Sequence, residues 1–99
     1  MPDQSLLQAL LSPLLDDFQY WFDEASDLLD SPKADCLPLE QRHGLSEQIA
    51  LAQQEVATAR ILLMATDGQV GVDTAMVGNW HQLVAQCWQL ARQIRQGKR

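Results

Sequence analysis

Three times along this chain, apolar residues return at alternating spacings of three and four. That interval stacks side chains on one face of an α-helix. Leu7, Leu11, Leu14, Phe18, Trp21, Ala25 and Leu28 form the first seam, and Leu10, Leu15, Phe22 and Leu29 widen it. The second seam is Leu45, Ile49, Ala52, Val56, Ala59 and Leu63. Val77, Trp80, Val84, Cys87, Ala91 and Ile94 form the third, flanked by Leu83, Trp88 and Leu90. The two-residue alternation of a half-buried strand is nearly missing. These seams predict an all-α fold built from three amphipathic helices.

Breakers and caps set the expected limits. Ser12-Pro13 interrupts the first pattern, because Ser12 suits an N-cap and Pro13 a first helical position. Either a short lead-in helix precedes the main one, or one long helix kinks at Pro13. Ser31-Pro32 closes it, since a residue before proline resists the α region. Pro38 offers a short turn through Gln41, Gly44 weakens continuity, and Ser46 gives a second start. Gly68 is a C-terminal stop, and Asp73 or Thr74 caps the last helix. The expectation is one helical domain over 1–99, with helices at about 13–30, 46–66 and 74–96. The short link from Asp67 to Asp73 requires an antiparallel return, so the architecture expected is an up-down-up three-helix bundle. Alanines on the second seam suit the bulky first one, since large must face small for dense packing.

At 99 residues with a net charge of −6, the chain suits one globular domain and not a basic nucleic-acid binder. No apolar run approaches the ~18–20 residues that span a bilayer; the longest is Ile61 to Ala65. Met1-Pro2-Asp3-Gln4 lacks the positive charge of a secretory signal. Two distant cysteines, Cys36 and Cys87, fit a reducing cytoplasm. The charge is not spread evenly. Residues 1–35 hold eight acids against one lysine, 36–73 five acids against two arginines, and 74–99 four bases and no acid. In an up-down-up bundle the first and third helices run parallel. Asp23, Glu24, Asp27 and Asp30 then lie level with Arg92 and Arg95, and pairing between them would fix register.

Few constellations suggest chemistry. Cys36, His43, His81 and Cys87 are the soft metal ligands, but their spacings match neither a helical His pair nor a CxxC pair, so no metal and no cofactor is expected. The loop Asp67-Gly68-Gln69-Val70-Gly71-Val72-Asp73 has the look of a calcium loop. It lacks the alternating oxygen ligands and distant Glu, and it reads as a helix–helix turn, with Gly68 and Gly71 suited to positive φ. His81 and Trp88 are seven apart on one helix face. A histidine beside aromatics can ligate a tetrapyrrole metal, though a half-buried imidazole is the plainer reading. Asp16-Asp17 and Asp23-Glu24 lie on a polar face with no nucleophile–base partner, so no catalytic residue is expected.

Three segments carry a resemblance: Pro13-Leu14-Leu15-Asp16-Asp17-Phe18-Gln19-Tyr20-Trp21-Phe22, Ala65-Thr66-Asp67-Gly68-Gln69-Val70-Gly71-Val72-Asp73-Thr74, and Trp80-His81-Gln82-Leu83-Val84 with Cys87-Trp88. They resemble a family of small cyanobacterial proteins that carries only a domain-of-unknown-function label. The resemblance runs from about Leu6 to Arg92. It implies a cytoplasmic setting and supplies no activity, cofactor or catalytic residue.

The first helix bears more apolar width than two neighbours cover, and exposed apolar patches of this kind mark interfaces. The function expected is therefore a non-enzymatic interaction module, an adaptor or assembly factor. It would meet a protein partner, or form a homo-oligomer, through an aromatic helix face made of Phe18, Tyr20, Trp21 and Phe22 on one side and Trp80, His81 and Trp88 on the other. The alternative is a carrier or sensor of a tetrapyrrole or similar ligand that uses His81.

Overall fold

In the computed structural model, which describes residues 3–66 and 73–96, the three seams become three helices. Helix α1 spans Asp3–Asp30, α2 spans Leu39–Ala65 and α3 spans Thr74–Gln96; a single 3-10 turn, Pro32–Cys36, lies between the first two. Two side-chain bridges fix the direction of α2 against α1. Gln53 reaches Asp23, and Arg60 pairs with Asp16 further back along α1, so the two helices are antiparallel. Aromatic contacts run the other way for α3. Phe18 meets Trp80 and Trp21 meets Trp88, so α1 and α3 ascend together. The result is the expected up-down-up bundle, a rod of 56 × 20 × 19 Å.

Of the two alternatives at Pro13, the structure has one helix that starts at Asp3 and runs through the proline. The expected start near residue 13 is thus ten residues late. Proline removes one N–H that would bond to the carbonyl of Ala9. Both residues are exposed, so the freed carbonyl faces water instead of core. The start expected at Ser46 is corrected in the same sense. Gly44 sits inside α2, which begins at Leu39. An internal glycine costs about 1 kcal/mol, and the packing of Leu37 and Leu45 against the core on either side offsets it.

The helix ends are held by identifiable bonds. At the end of α1, the Ser31 hydroxyl donates to the Leu28 carbonyl at 2.8 Å. Arg42 Nη2 reaches back from α2 to the Leu29 carbonyl at 3.0 Å, and its Nη1 meets Asp35 at 3.2 Å. Thr66 closes α2 through its hydroxyl on the Leu62 carbonyl at 2.7 Å. Asp73 is the cap of α3: its Oδ1 accepts from the Ala75 N–H at 2.9 Å. The expected stop at Gly68 lies outside the described residues.

The core shows which row of each stripe turns inward. On α2 the buried residues are Ile49, Ala52, Val56 and Leu63; on α3 they include Trp80, Val84, Cys87 and Ile94, as the spacing predicts. On α1 they are Leu15, Phe18, Phe22, Ala25 and Leu29. The expected seam there is therefore rotated. Leu14 and Trp21 are exposed, while the flanking row Leu15–Phe22–Leu29 is sealed. The cause is that α1 lies more closely along α2 than along α3, which draws the row facing α2 under cover. The side chains of Leu6 and Leu7 lie outside the described residues.

Candidate functional site

The seven candidate docking residues divide into two groups. Phe18, Phe22 and Trp80 are core. The Phe18 and Phe22 rings stack with centroids 6.1 Å apart, and the Trp80 indole meets Phe18 edge-on at 5.4 Å. Trp80 is 1% exposed, and its Nε1 donates to Glu55 Oε1 at 2.9 Å. These three cannot meet a partner without unfolding the bundle, so they are removed from the candidate face. Their rings sit between helices because residues three and four apart on α1 both fall on its inner arc.

Tyr20, Trp21 and Trp88 form the second group. They are 56%, 40% and 48% exposed. The Tyr20 ring meets Trp21 edge-on at 5.1 Å, and Trp21 meets Trp88 edge-on at 5.6 Å. Such geometry places the positive edge of one ring on the negative face of the next. Scattered apolar residues are ordinary on a surface, whereas three contiguous aromatic rings form a patch. A cleft of ≈ 220 Å³ opens between Trp21 and Trp88, floored by Ala25, Cys87 and Ala91 and rimmed by Glu24 and Leu28. His81 lies two turns before Trp88 on α3, and it too is exposed.

The carboxylates near this patch differ in their partners. Asp16 is tied to Arg60 and Asp23 accepts from Gln53, so both brace α1 against α2. The ion pairs among the described residues are these arginine contacts, Arg60–Asp16 and Arg42–Asp35. The expected pairing of Asp23, Glu24, Asp27 and Asp30 with Arg92 and Arg95 within one chain does not occur. Asp23 and Asp30 face α2 instead, Asp23 on Gln53 and Asp30 beside Arg42 and His43.

The remaining candidates are placed as follows. Cys87 is buried, and desolvation pushes its thiol up to about 11, which keeps it protonated and inert at neutral pH. Cys36 is an exposed free thiol in the 3-10 turn. Among the described residues, no three His, Cys, Asp or Glu side chains gather as a metal cluster. Asp73 acts as a helix cap, while Asp67, Gly68 and Gly71 lie outside the described residues. No described helix is long and apolar enough to cross a membrane.

Sequence reasoning missed two features. Leu51, Ile61, Leu62 and Met64 are exposed on α2. The run Ile61–Ala65 carried that signal, since five consecutive apolar residues cannot all face one side of a helix. The second is the α2–α3 seam, where clefts of ≈ 610 and ≈ 360 Å³ open beside Gln48 and Leu51. The helices stand further apart there than α1 and α2 do.

The three helices and the exposed aromatic cluster between α1 and α3 define a small all-α protein. The chain belongs to a family described as protein of unknown function (DUF2605), whose profile matches residues 1–96. No curated protein and no solved structure matches it.

Proposed function

We propose that this chain is a non-enzymatic interaction module, an adaptor or assembly factor, that docks through the α1–α3 aromatic face. The observation that carries this reading is the edge-to-face series Tyr20–Trp21–Trp88, left open to solvent on a bundle that buries its other aromatic rings. Tyrosine and tryptophan are the residue types that anchor protein interfaces, and truncating one central anchor costs about 2 kcal/mol or more of binding. Two free cysteines accord with a reducing cytoplasm as the setting.

The test is capture of a stoichiometric partner by the tagged native chain, compared with Tyr20→Ala and Trp88→Ala variants. Both variants should keep full helicity and lose the partner. Capture unchanged in both variants removes this face as the site.

A second reading, a carrier or sensor of a tetrapyrrole-like ligand, draws on the exposure of His81. An absorbance titration with haem decides it. A spectral shift lost in His81→Ala supports it, and no shift removes it.

A further inference from the structure

The same face carries unmet charge on both of its edges. On α1, Asp17 and Glu24 flank Trp21 at one turn before and after it. On α3, Arg92 and Arg95 follow Trp88 by one and two turns. All four are exposed, and none is ion-paired among the described residues. Helices α1 and α3 are parallel, and the cleft that joins Glu24 and Leu28 to Trp88 and Ala91 sets their register. Arg92 therefore stands level with Glu24 to Leu28. A single face thus carries Asp17 and Glu24 on its α1 side, an aromatic midline, and Arg92 on its α3 side.

We propose that this face is the contact between two copies of the chain, related by a twofold axis parallel to the bundle. The proposal rests on the docking reading above and names the occupant. The choice of axis follows from the charges. A twofold along the helices lays the α3 edge of each copy over the α1 edge of the other and keeps every level in place. Arg92 then meets Glu24 of the second copy, and this contact occurs twice. Trp21 and Trp88 of both copies close over one another at the midline, where they lose their exposure to water. A twofold across the helices would instead set acid on acid and base on base, which repels. The charge segregation along the sequence acquires a role here that pairing within one chain does not supply.

The test measures the mass of the native full chain by sedimentation equilibrium across a concentration series, at low and high salt. A dimer whose dissociation constant rises with salt is expected. Trp88→Ala should weaken it by about a hundredfold, since the ring acts twice. Glu24→Arg alone and Arg92→Glu alone should each weaken it by about tenfold or more, since like charges then face each other at two sites. Mixing these two variants restores every opposite-charge contact, so the mixture should form a heterodimer as tight as the native dimer. All these positions are exposed, and helicity by circular dichroism checks that each variant folds. A native chain that stays monomeric at every concentration overturns the proposal. So does a dimer indifferent to both charge reversals. If the native chain is monomeric yet captures a different protein in a Trp88-dependent way, the second copy is ruled out while the docking face stands. If Trp88→Ala alters neither association nor capture, both readings fall.

Discussion

The indole Nε1 of Trp80 donates to the Glu55 carboxylate at 2.9 Å, across the loosely packed seam between α2 and α3. The ring itself is sealed under Phe18, so one residue joins all three helices. Trp80→Phe keeps most of the ring volume and loses the bond to a charged acceptor, which should cost about 1.5–3 kcal/mol. Glu55→Gln keeps an acceptor oxygen and should cost less than that. Trp80→Ala should cost about 3–5 kcal/mol, through the cavity it leaves beside Phe18. Urea midpoints of the three variants check this order.

Arg42 supplies what α1 lacks at its own end. The last turn of α1 holds acids and no base, an arrangement that opposes the helix dipole. The Arg42 guanidinium answers this from α2, on the Leu29 carbonyl and the Asp35 carboxylate. Arg42→Ala should cost about 1–2 kcal/mol, because a half-buried carbonyl then loses its charged donor. Arg60→Ala breaks an exposed pair with Asp16 and no bond to a carbonyl, and should cost under about 1 kcal/mol. Thermal melts of the two variants, compared at one pH, test the ranking.

Glycine is used inside both α2 and α3 without a steric need for it. A Cβ built on Gly44 or on Gly78 meets nothing within 4 Å. Alanine at either position restricts the unfolded chain and favours the helix, so Gly44→Ala and Gly78→Ala should each stabilise by about 0.4–1 kcal/mol. For a domain of this size that corresponds to a rise in melting temperature of several degrees each. Calorimetry that finds either variant less stable would show a close contact at that position.

The second seam was readable because it is a single row of apolar residues; on the third, the flanking Leu83 and Leu90 are buried together with the expected row, so the stripe still points inward. The first was not, because two adjacent rows are apolar. Leu14–Trp21–Leu28 and Leu15–Phe22–Leu29 have the same spacing, and only the unequal closeness of α2 and α3 selects between them. The candidate face was mixed for the same reason. Phe22 and Trp21 are neighbours in sequence, and a turn of about 100° sends one into the core and the other to water. The continuity of α2 through Gly44 was hidden too, since no local spacing announces that Arg42 will bond a carbonyl thirteen residues earlier. The cap at Asp73 was legible, because a side-chain oxygen just before a helix has one common use.

The two thiols should separate cleanly in reactivity and in their effect on stability. Cys36 is exposed and should react with a thiol reagent in the folded state. Cys87 should react only at the rate of unfolding, because burial holds it protonated and covered. The same burial makes stability depend on pH in one direction. The folded-state pKa of Cys87 is raised from 9.0 to about 11, so the folded state holds the proton more tightly than the unfolded state does. The stabilisation is complete below about pH 9 and is lost as pH rises from there through about 11. At one pKa unit per 1.36 kcal/mol, the full loss is on the order of 2–3 kcal/mol. Other groups also titrate in this range, so the informative quantity is the difference between the native chain and Cys87→Ala. The variant should be less stable at neutral pH, through the lost packing at the floor of the Trp21–Trp88 cleft. The gap between variant and native chain should narrow as pH rises. Denaturant titrations at neutral pH and at about pH 10 measure it, and a gap that stays constant would show that the thiol titrates alike in the folded and unfolded chain.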